Sequence, residues 1–268
     1  MHRSRPKVPA KEITKILKGI GINPTSKDPD IAIIVGGDGT FGYFGRKLEI
    51  PMLFVGVRDP NPIGSKASLA ELFLDELHHG ISKLEEGNYY IENRRLISID
   101  YCGSCEDVFT DVYFERGNFG GCLRYLVSIN VRKGKQNEFG FTDYAIGNGV
   151  IICTATGSSG YYSYPQRIIS GATPSHKAQF TNNKLGICHI TPYSLLRVKK
   201  GYNFSKYRKP EVQYTIPLQS EIKLNLLRPS NALLYGLTQD SRGIKICKDD
   251  TISIEPSPRI AKVIKIKS

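Results

Sequence analysis

The chain has 268 residues, 40% of them hydrophobic counting tyrosine, and 37 Lys and Arg against 25 Asp and Glu give it a net charge of +12. This composition excludes a disordered or fibrous chain, and at roughly 150 residues per domain the length predicts about two domains. No apolar run approaches the ~18 residues that span a bilayer, and the opening Met1-His2-Arg3-Ser4-Arg5-Pro6 is basic rather than apolar, so the expectation is a soluble, cytoplasmic protein with no membrane partner.

In chain order, Ile13, Ile16, Leu17 and Ile20 fall on one face of a helix. Ile31–Val35 is a short apolar run of the kind buried on both faces of a parallel sheet, and Met52–Val57 is a second. Between and after them, Ala70, Phe73, Leu74, Leu77, Ile81 and Leu84 hold helical spacing up to Gly87. Strands alternating with helices predict a parallel α/β layer. From about residue 88 the texture changes to short β-rich runs: 96–101, 108–114, 123–131, 144–153, 185–190, 212–216, 222–227, 232–237, 244–247, 252–254 and 260–266. Polar turns separate most of them, which predicts an antiparallel β domain. The expected division is residues 1–88 and 89–268, with the C-terminal end free to pack back on the first domain.

The sharpest local feature is Gly36-Gly37-Asp38-Gly39-Thr40, placed after the first strand and before a segment able to begin a helix. Glycines at such a junction let backbone N–H groups approach an anion, and the helix N-terminus adds partial positive charge. A carboxylate there repels phosphate unless it binds Mg²⁺ or removes a proton from an attacking hydroxyl, so Asp38 is the candidate catalytic residue. A second feature, Thr154-Ala155-Thr156-Gly157-Ser158-Ser159-Gly160-Tyr161, follows an apolar strand and combines small hydroxyls with tyrosines able to stack on a planar base. A third, Arg197–Pro210, interleaves six basic residues with three aromatics and reads as a surface loop suited to phosphate chains or single-stranded nucleic acid. The six cysteines are too sparse for a disulfide framework. Cys102-Gly103-Ser104-Cys105 has no second pair to complete a zinc site, and His78-His79 do not share a helix face, so no protein metal site is expected.

Taken together, the first two motifs make the sequence resemble the NAD kinase family, which carries GGDGT and, further on, T-P-T-G-S-T-A-Y. Here the first is intact and the second has Ala155 for Pro, Ser159 for Thr and Gly160 for Ala. Ile190-Thr191-Pro192-Tyr193-Ser194-Leu195 is similar to the family's I-C-P-H-S-L. The resemblance covers roughly residues 31–255. It implies an N-terminal parallel α/β, Rossmann-like domain and a C-terminal antiparallel β-rich domain. It also implies transfer of a phosphoryl group from ATP or polyphosphate to the 2′-hydroxyl of the adenosine ribose of NAD, with Mg²⁺ as cofactor and a homo-oligomer (dimer or tetramer). Gly36, Gly37, Gly39 and Thr40 would cradle phosphates, Asp38 would take the ribose proton, and Thr156, Ser159, Gly160 and Tyr161 would line the acceptor nucleotide.

Three further family positions differ. The family's Asn-Glu pair aligns with Thr110-Asp111, and an aspartate before Gly-Leu-Ile aligns with Asn148. Thr110, Asp111 and Asn148 therefore join the expected acceptor set, and their changes keep open a related kinase with a nucleoside or lipid acceptor. A catalytically weak nucleotide- or nucleic-acid-binding relative is the other alternative, although the intact Asp38 and Thr40 favour an enzyme that does not engage nucleic acid. The family also opens with a strand before its first helix, which Met1–Val8 is too short and too basic to supply.

Overall fold

A computed structural model gives the structure of the chain and describes residues 8–58, 66–117, 121–133, 136–170, 178–202, 207–237 and 242–267. The chain forms two compact units: Met1–Arg94 with Ile260–Ser268, and Arg95–Arg259.

In the first unit, α1 (Ala10–Gly19) turns Ile13, Ile16 and Leu17 onto a core that includes Leu53 and Val55. Strands β1 (Ala32–Gly36) and β2 (Met52–Gly56) pair in parallel, with Ala32 opposite Met52 and Gly36 opposite Gly56. Every residue of β2 is buried, as its continuous apolar sequence requires. Helix α2 (Asp38–Lys47) leaves directly from β1, and its Phe41 stacks on Phe54 at 4.6 Å between ring centroids.

The helix expected from Ala70 starts late. Leu72–Phe73 instead form β3, parallel to β2, then Leu74–Glu76 make a 3-10 turn, and α3 occupies Leu77–Glu85. Backbone bonds outweigh the helical spacing. The Glu71 N–H donates to the Phe54 carbonyl at 2.8 Å, and the Phe73 N–H to the Glu76 carboxylate at 2.7 Å, which makes Phe73 the N-cap of the 3-10 turn that leads into α3. Leu72 also packs against Gly80, where an added Cβ would come within 2.2 Å of it. Glu71 further accepts the Ile266 N–H at 2.7 Å and pairs with Lys265, holding the C-terminal strand residues in this unit.

The second unit carries β4 (Tyr89–Tyr101) from residue 95 onward, β5 (Ser104–Val108), β6 (Asp111–Arg116), β7 (Leu123–Lys133), β8 (Gln136–Gly147), β9 (Gly149–Cys153), α4 (Tyr164–Ser170), β10 (Lys184–Ile190), β11 (Ser194–Lys199), β12 (Tyr207–Arg208), β13 (Gln213–Pro217), β14 (Ser220–Leu226), β15 (Ala232–Tyr235), β16 (Ile244–Ile246) and β17 (Thr251–Ile266), the last through residue 259. One sheet runs β17-β14-β7-β8-β11-β12 and the other β13-β10-β9-β6-β15-β16. The neighbours in both are antiparallel. The core is drawn from alternate residues of both sheets, including Tyr125, Val127, Val150, Ile152, Ile187 and Leu224.

Two expected strands are each divided. Residues 108–114 break at Phe109–Thr110, whose carbonyls accept the Thr154 hydroxyl at 2.7 and 3.1 Å. Residues 144–153 break at Asn148, because Gly149 adopts φ +142°, and a Cβ there would lie 1.9 Å from the Phe114 carbonyl oxygen. Runs 252–254 and 260–266 are parts of the single strand β17. Cys102 and Gly103, with φ of 49° and 77°, form the two-residue turn of the β4–β5 hairpin, and Cys102 and Cys105 are exposed free thiols.

Candidate functional site

The glycine motif is a strand-to-helix junction. Gly37 caps α2 in an extended conformation, so Asp38, Gly39 and Thr40 form the first helical turn; the Thr40 N–H donates to the Gly37 carbonyl at 2.8 Å, and the Asp38 and Gly39 N–H groups have no carbonyl one turn back within the helix. Thr40 folds back against the end of β1, since a Cβ on Gly36 would meet its hydroxyl at 2.8 Å. The Asp38 carboxylate accepts the Leu69 N–H at 2.8 Å, a bond that sequence reading did not foresee and that fixes the direction of the carboxylate. Among the described residues no group of three His, Cys, Asp or Glu side chains gathers to hold a metal ion.

In the second unit the Thr154–Tyr161 segment caps the end of β9. The Thr154 N–H donates to the Thr110 carbonyl at 2.8 Å, and a Cβ on Gly157 would lie 2.4 Å from that same oxygen. The motif's glycine therefore permits contact with Thr110, and the structure brings Thr110, Asp111, Thr156, Ser159 and Gly160 into one region. Within it Thr156 is buried, Ser159 is half-buried and Gly160 is exposed. Ser158 is spent internally, donating to the Ala155 carbonyl at 2.7 Å and accepting the Gln179 N–H at 2.8 Å. Arg167, on α4, donates to the Ser159 carbonyl at 2.5 Å.

Asp111 begins β6 opposite Cys153. Burial raises its carboxyl pKa to about 6, against the opposing hydrogen bond from Thr110. Along the same face of β6 follow Tyr113 and Glu115, while Val112 and Phe114 turn inward. Tyr161 stands edge-on to Tyr113 at 5.5 Å, Tyr235 stacks on Tyr113 at 5.6 Å, and Tyr164 lies 5.8 Å from Tyr161. Burial and a hydrogen bond to Glu115 push the Tyr161 phenol well above its ordinary range.

Asn148 stands apart from Thr110 and Asp111. It lies five residues before Cys153, about 16 Å along the strand at about 3.3 Å per residue. Its amide donates to the Thr191 hydroxyl at 2.8 Å, and Thr191 in turn donates its N–H to the Tyr164 hydroxyl at 3.1 Å. Asn148 thus connects to the tyrosine cluster, not to the Thr110–Asp111 end.

Sequence reading also missed a polar network on the inner face of the sheets. Asp143 accepts Arg197 at 2.6 and 2.7 Å and the Tyr214 hydroxyl at 2.6 Å, with His189 at 3.2 Å. Arg197 lies between the rings of Phe141 and Tyr214, 3.8 and 4.2 Å from their centroids. Burial alone would raise the Asp143 carboxyl, but these hydrogen bonds and the Arg197 charge hold it below the usual range. The expected basic loop loses its first member here, because Arg197 is buried in β11. Part of that loop, Asn203–Lys206, lies outside the described residues.

No family model matches the chain. It is 27% identical over 239 residues to the NAD kinase of Thermococcus gammatolerans, covering 89% of this chain and 74% of that one. It is 31% identical over 143 residues to the NAD kinase of Nitrosomonas europaea, covering 50% of this chain and only 44% of the relative. Among solved structures, an NAD kinase from Archaeoglobus fulgidus in complex with ATP superposes with a TM-score of 0.60 at 15% identity, over 96% of this chain and 88% of that one. Yeast NADH kinase complexed with NADH gives a TM-score of 0.60 at 15% identity, over 89% and 63%. The fold, a parallel α/β unit followed by a β-rich unit, is that of the NAD kinases. In sequence the chain is similar to these NAD kinases at 27–31% identity, and it spans less than half the length of the Nitrosomonas europaea relative.

Proposed function

We propose that the chain phosphorylates the 2′-hydroxyl of the adenosine ribose of NAD, with ATP as donor and NADP as product. The observation that carries this reading is Asp38 in the first turn of α2, with its carboxylate held by Leu69 beside amides suited to phosphate. In the reaction the ribose oxygen forms a bond to the γ-phosphorus of ATP, the bond to ADP breaks, and the hydroxyl proton passes to the Asp38 carboxylate. The amides of Asp38 and Gly39 and the Thr40 hydroxyl face donor phosphate oxygens. Thr110, Asp111, Thr156, Ser159, Gly160 and Tyr161 hold the acceptor, and Asn148 orients it through Thr191 and Tyr164.

Mg²⁺ fits this donor set, because the ion commonly takes one or two carboxylates and completes its shell with nucleotide phosphates and water. Asp38 offers the one carboxylate; bound with ATP, the ion would offset charge on the transferring phosphoryl group. Polyphosphate is a second donor compatible with the +12 charge. Exposed Ile168, Ile169 and Tyr193, at 76, 86 and 87%, support a homo-oligomer. A cytoplasmic setting is part of the same proposal; no helix among the described residues is long and apolar enough to cross a membrane.

The replacements at Thr110 and Asp111 favour weaker NAD recognition than in relatives that keep Asn-Glu. The test is an acceptor panel with Mg²⁺ and ATP: NAD, 2′-deoxy-NAD, adenosine and a diacylglycerol. Product from NAD but not from 2′-deoxy-NAD is expected. Product only from another acceptor would replace this reading with that of a related kinase.

A further inference from the structure

Reduction of NAD removes the positive charge of its nicotinamide ring and leaves the rest of the molecule nearly unchanged. A protein tells the two forms apart when aromatic faces and carboxylates meet that ring. The outer face of β6 offers both. Tyr113 lies between Asp111 and Glu115 on one strand face, stacked on Tyr235 and edge-on to Tyr161, which is 39% exposed. Glu115 also holds the Tyr161 hydroxyl. In a chain with a net charge of +12, this strand face has two acids and no base. Neither Tyr113, Glu115 nor Tyr235 belongs to the motifs that carry the family resemblance.

We propose that Tyr113, Tyr235 and Glu115 form a pocket wall selecting a planar cationic ring, so that the oxidised dinucleotide is preferred over the reduced one. The ring lies against the Tyr113 face, and Glu115 supplies negative potential while fixing Tyr161 beside it. This assignment rests on the proposed NAD kinase activity.

The test compares NAD with NADH as acceptors in the full chain with ATP and Mg²⁺. In parallel, calorimetry measures binding of nicotinamide mononucleotide and its reduced form, which needs no turnover. The wild type is expected to favour the oxidised form about tenfold in kcat/KM and in mononucleotide affinity. Glu115→Gln keeps an acceptor for Tyr161 but removes the charge, and should cut the preference about threefold. Tyr113→Leu should nearly abolish it, while Tyr113→Phe keeps the ring and the preference. A wild-type ratio near one, or a folded Tyr113→Leu variant with the wild-type ratio, overturns the proposal. If neither dinucleotide is phosphorylated, the kinase reading fails. Tighter binding of the oxidised mononucleotide would still support the pocket, and equal or absent binding of both forms would overturn it.

Discussion

The sheet that contains β6, β9 and β10 has two polar faces of opposite character. On the inner face, His189 belongs to a network in which Asp143 receives Arg197 and Tyr214 as well, and Asp143 and His189 are wholly buried. On the outer face, Asp111, Tyr113 and Glu115 are half-buried around an exposed Tyr161. Both faces carry carboxylates next to tyrosines. A carboxylate whose hydrogen bonds are filled by its own chain has nothing left for a ligand, and it serves the fold. A carboxylate raised in pKa by burial and steadied by one hydroxyl is still available to a substrate. The Asp38 carboxylate, which accepts one backbone N–H, likewise keeps oxygen lone pairs for a ligand.

The contrast is broken most directly at Asp38. Asp38→Asn should lower turnover by ~10²–10⁴, the usual contribution of a general base, with the melting temperature unchanged. Steady-state kinetics beside calorimetry measures both, and a parallel loss of stability would move Asp38 to the structural class.

The inner face should behave in the opposite way. Asp143→Asn leaves Arg197 buried without its carboxylate and is expected to cost ~3–5 kcal/mol in urea unfolding, with turnover per folded molecule retained. Because the folded Asp143 pKa is lowered, the wild-type network contributes fully at neutral pH and loses its contribution as pH falls through that lowered value. The Asn variant should lack this acid limb.

Asp111 has the reverse sign. Its folded pKa of about 6 lies above the ordinary 3.8, so the native state binds the proton more tightly. The linked contribution is present at low pH and declines as pH rises through about 6. Asp111→Asn should remove that decline. The KM for NAD should rise as pH falls below about 6 in the wild type and stay flat in the variant.

The smallest effect sharpens the comparison within the outer face. Thr110→Asn with Asp111→Glu should improve NAD use by about 1 kcal/mol or more if the restored bonds are buried. Asn148→Asp, about 16 Å along the strand from Asp111, should act additively with that pair. Strong coupling in a kinetic double-mutant cycle would place Asn148 in the same contact set.

Much of the fold was legible because its signals are local. Buried β1 and β2 read as continuous apolar runs, and GGDGT marks the turn between β1 and α2. Helical spacing failed at Leu72–Phe73, where strand pairing with β2 and the Glu76 cap decided the conformation. The break at Thr110 comes with its bond to Thr154, and the break at Asn148 with the Gly149 conformation against the Phe114 carbonyl, partners far off in sequence. The two glycine motifs could be read as motifs, but the neighbours that orient them could not. Nothing near Asp38 announces Leu69, and nothing near Tyr161 announces Tyr113. Arg197 looked like the start of a basic loop because its partner Asp143 sits 54 positions away. Asp143 does sit in inward phase with Phe141 and Ala145, a charge among core positions that would have flagged it had β8 been started early enough.

The most direct test of the central claim is to incubate the full chain with Mg²⁺, ATP and NAD and follow the phosphorus resonances by NMR. A 2′-phosphomonoester signal growing in step with ADP, and absent in Asp38→Asn, is the predicted result. ADP release without that signal, or no turnover by a folded wild-type chain, would contradict the account.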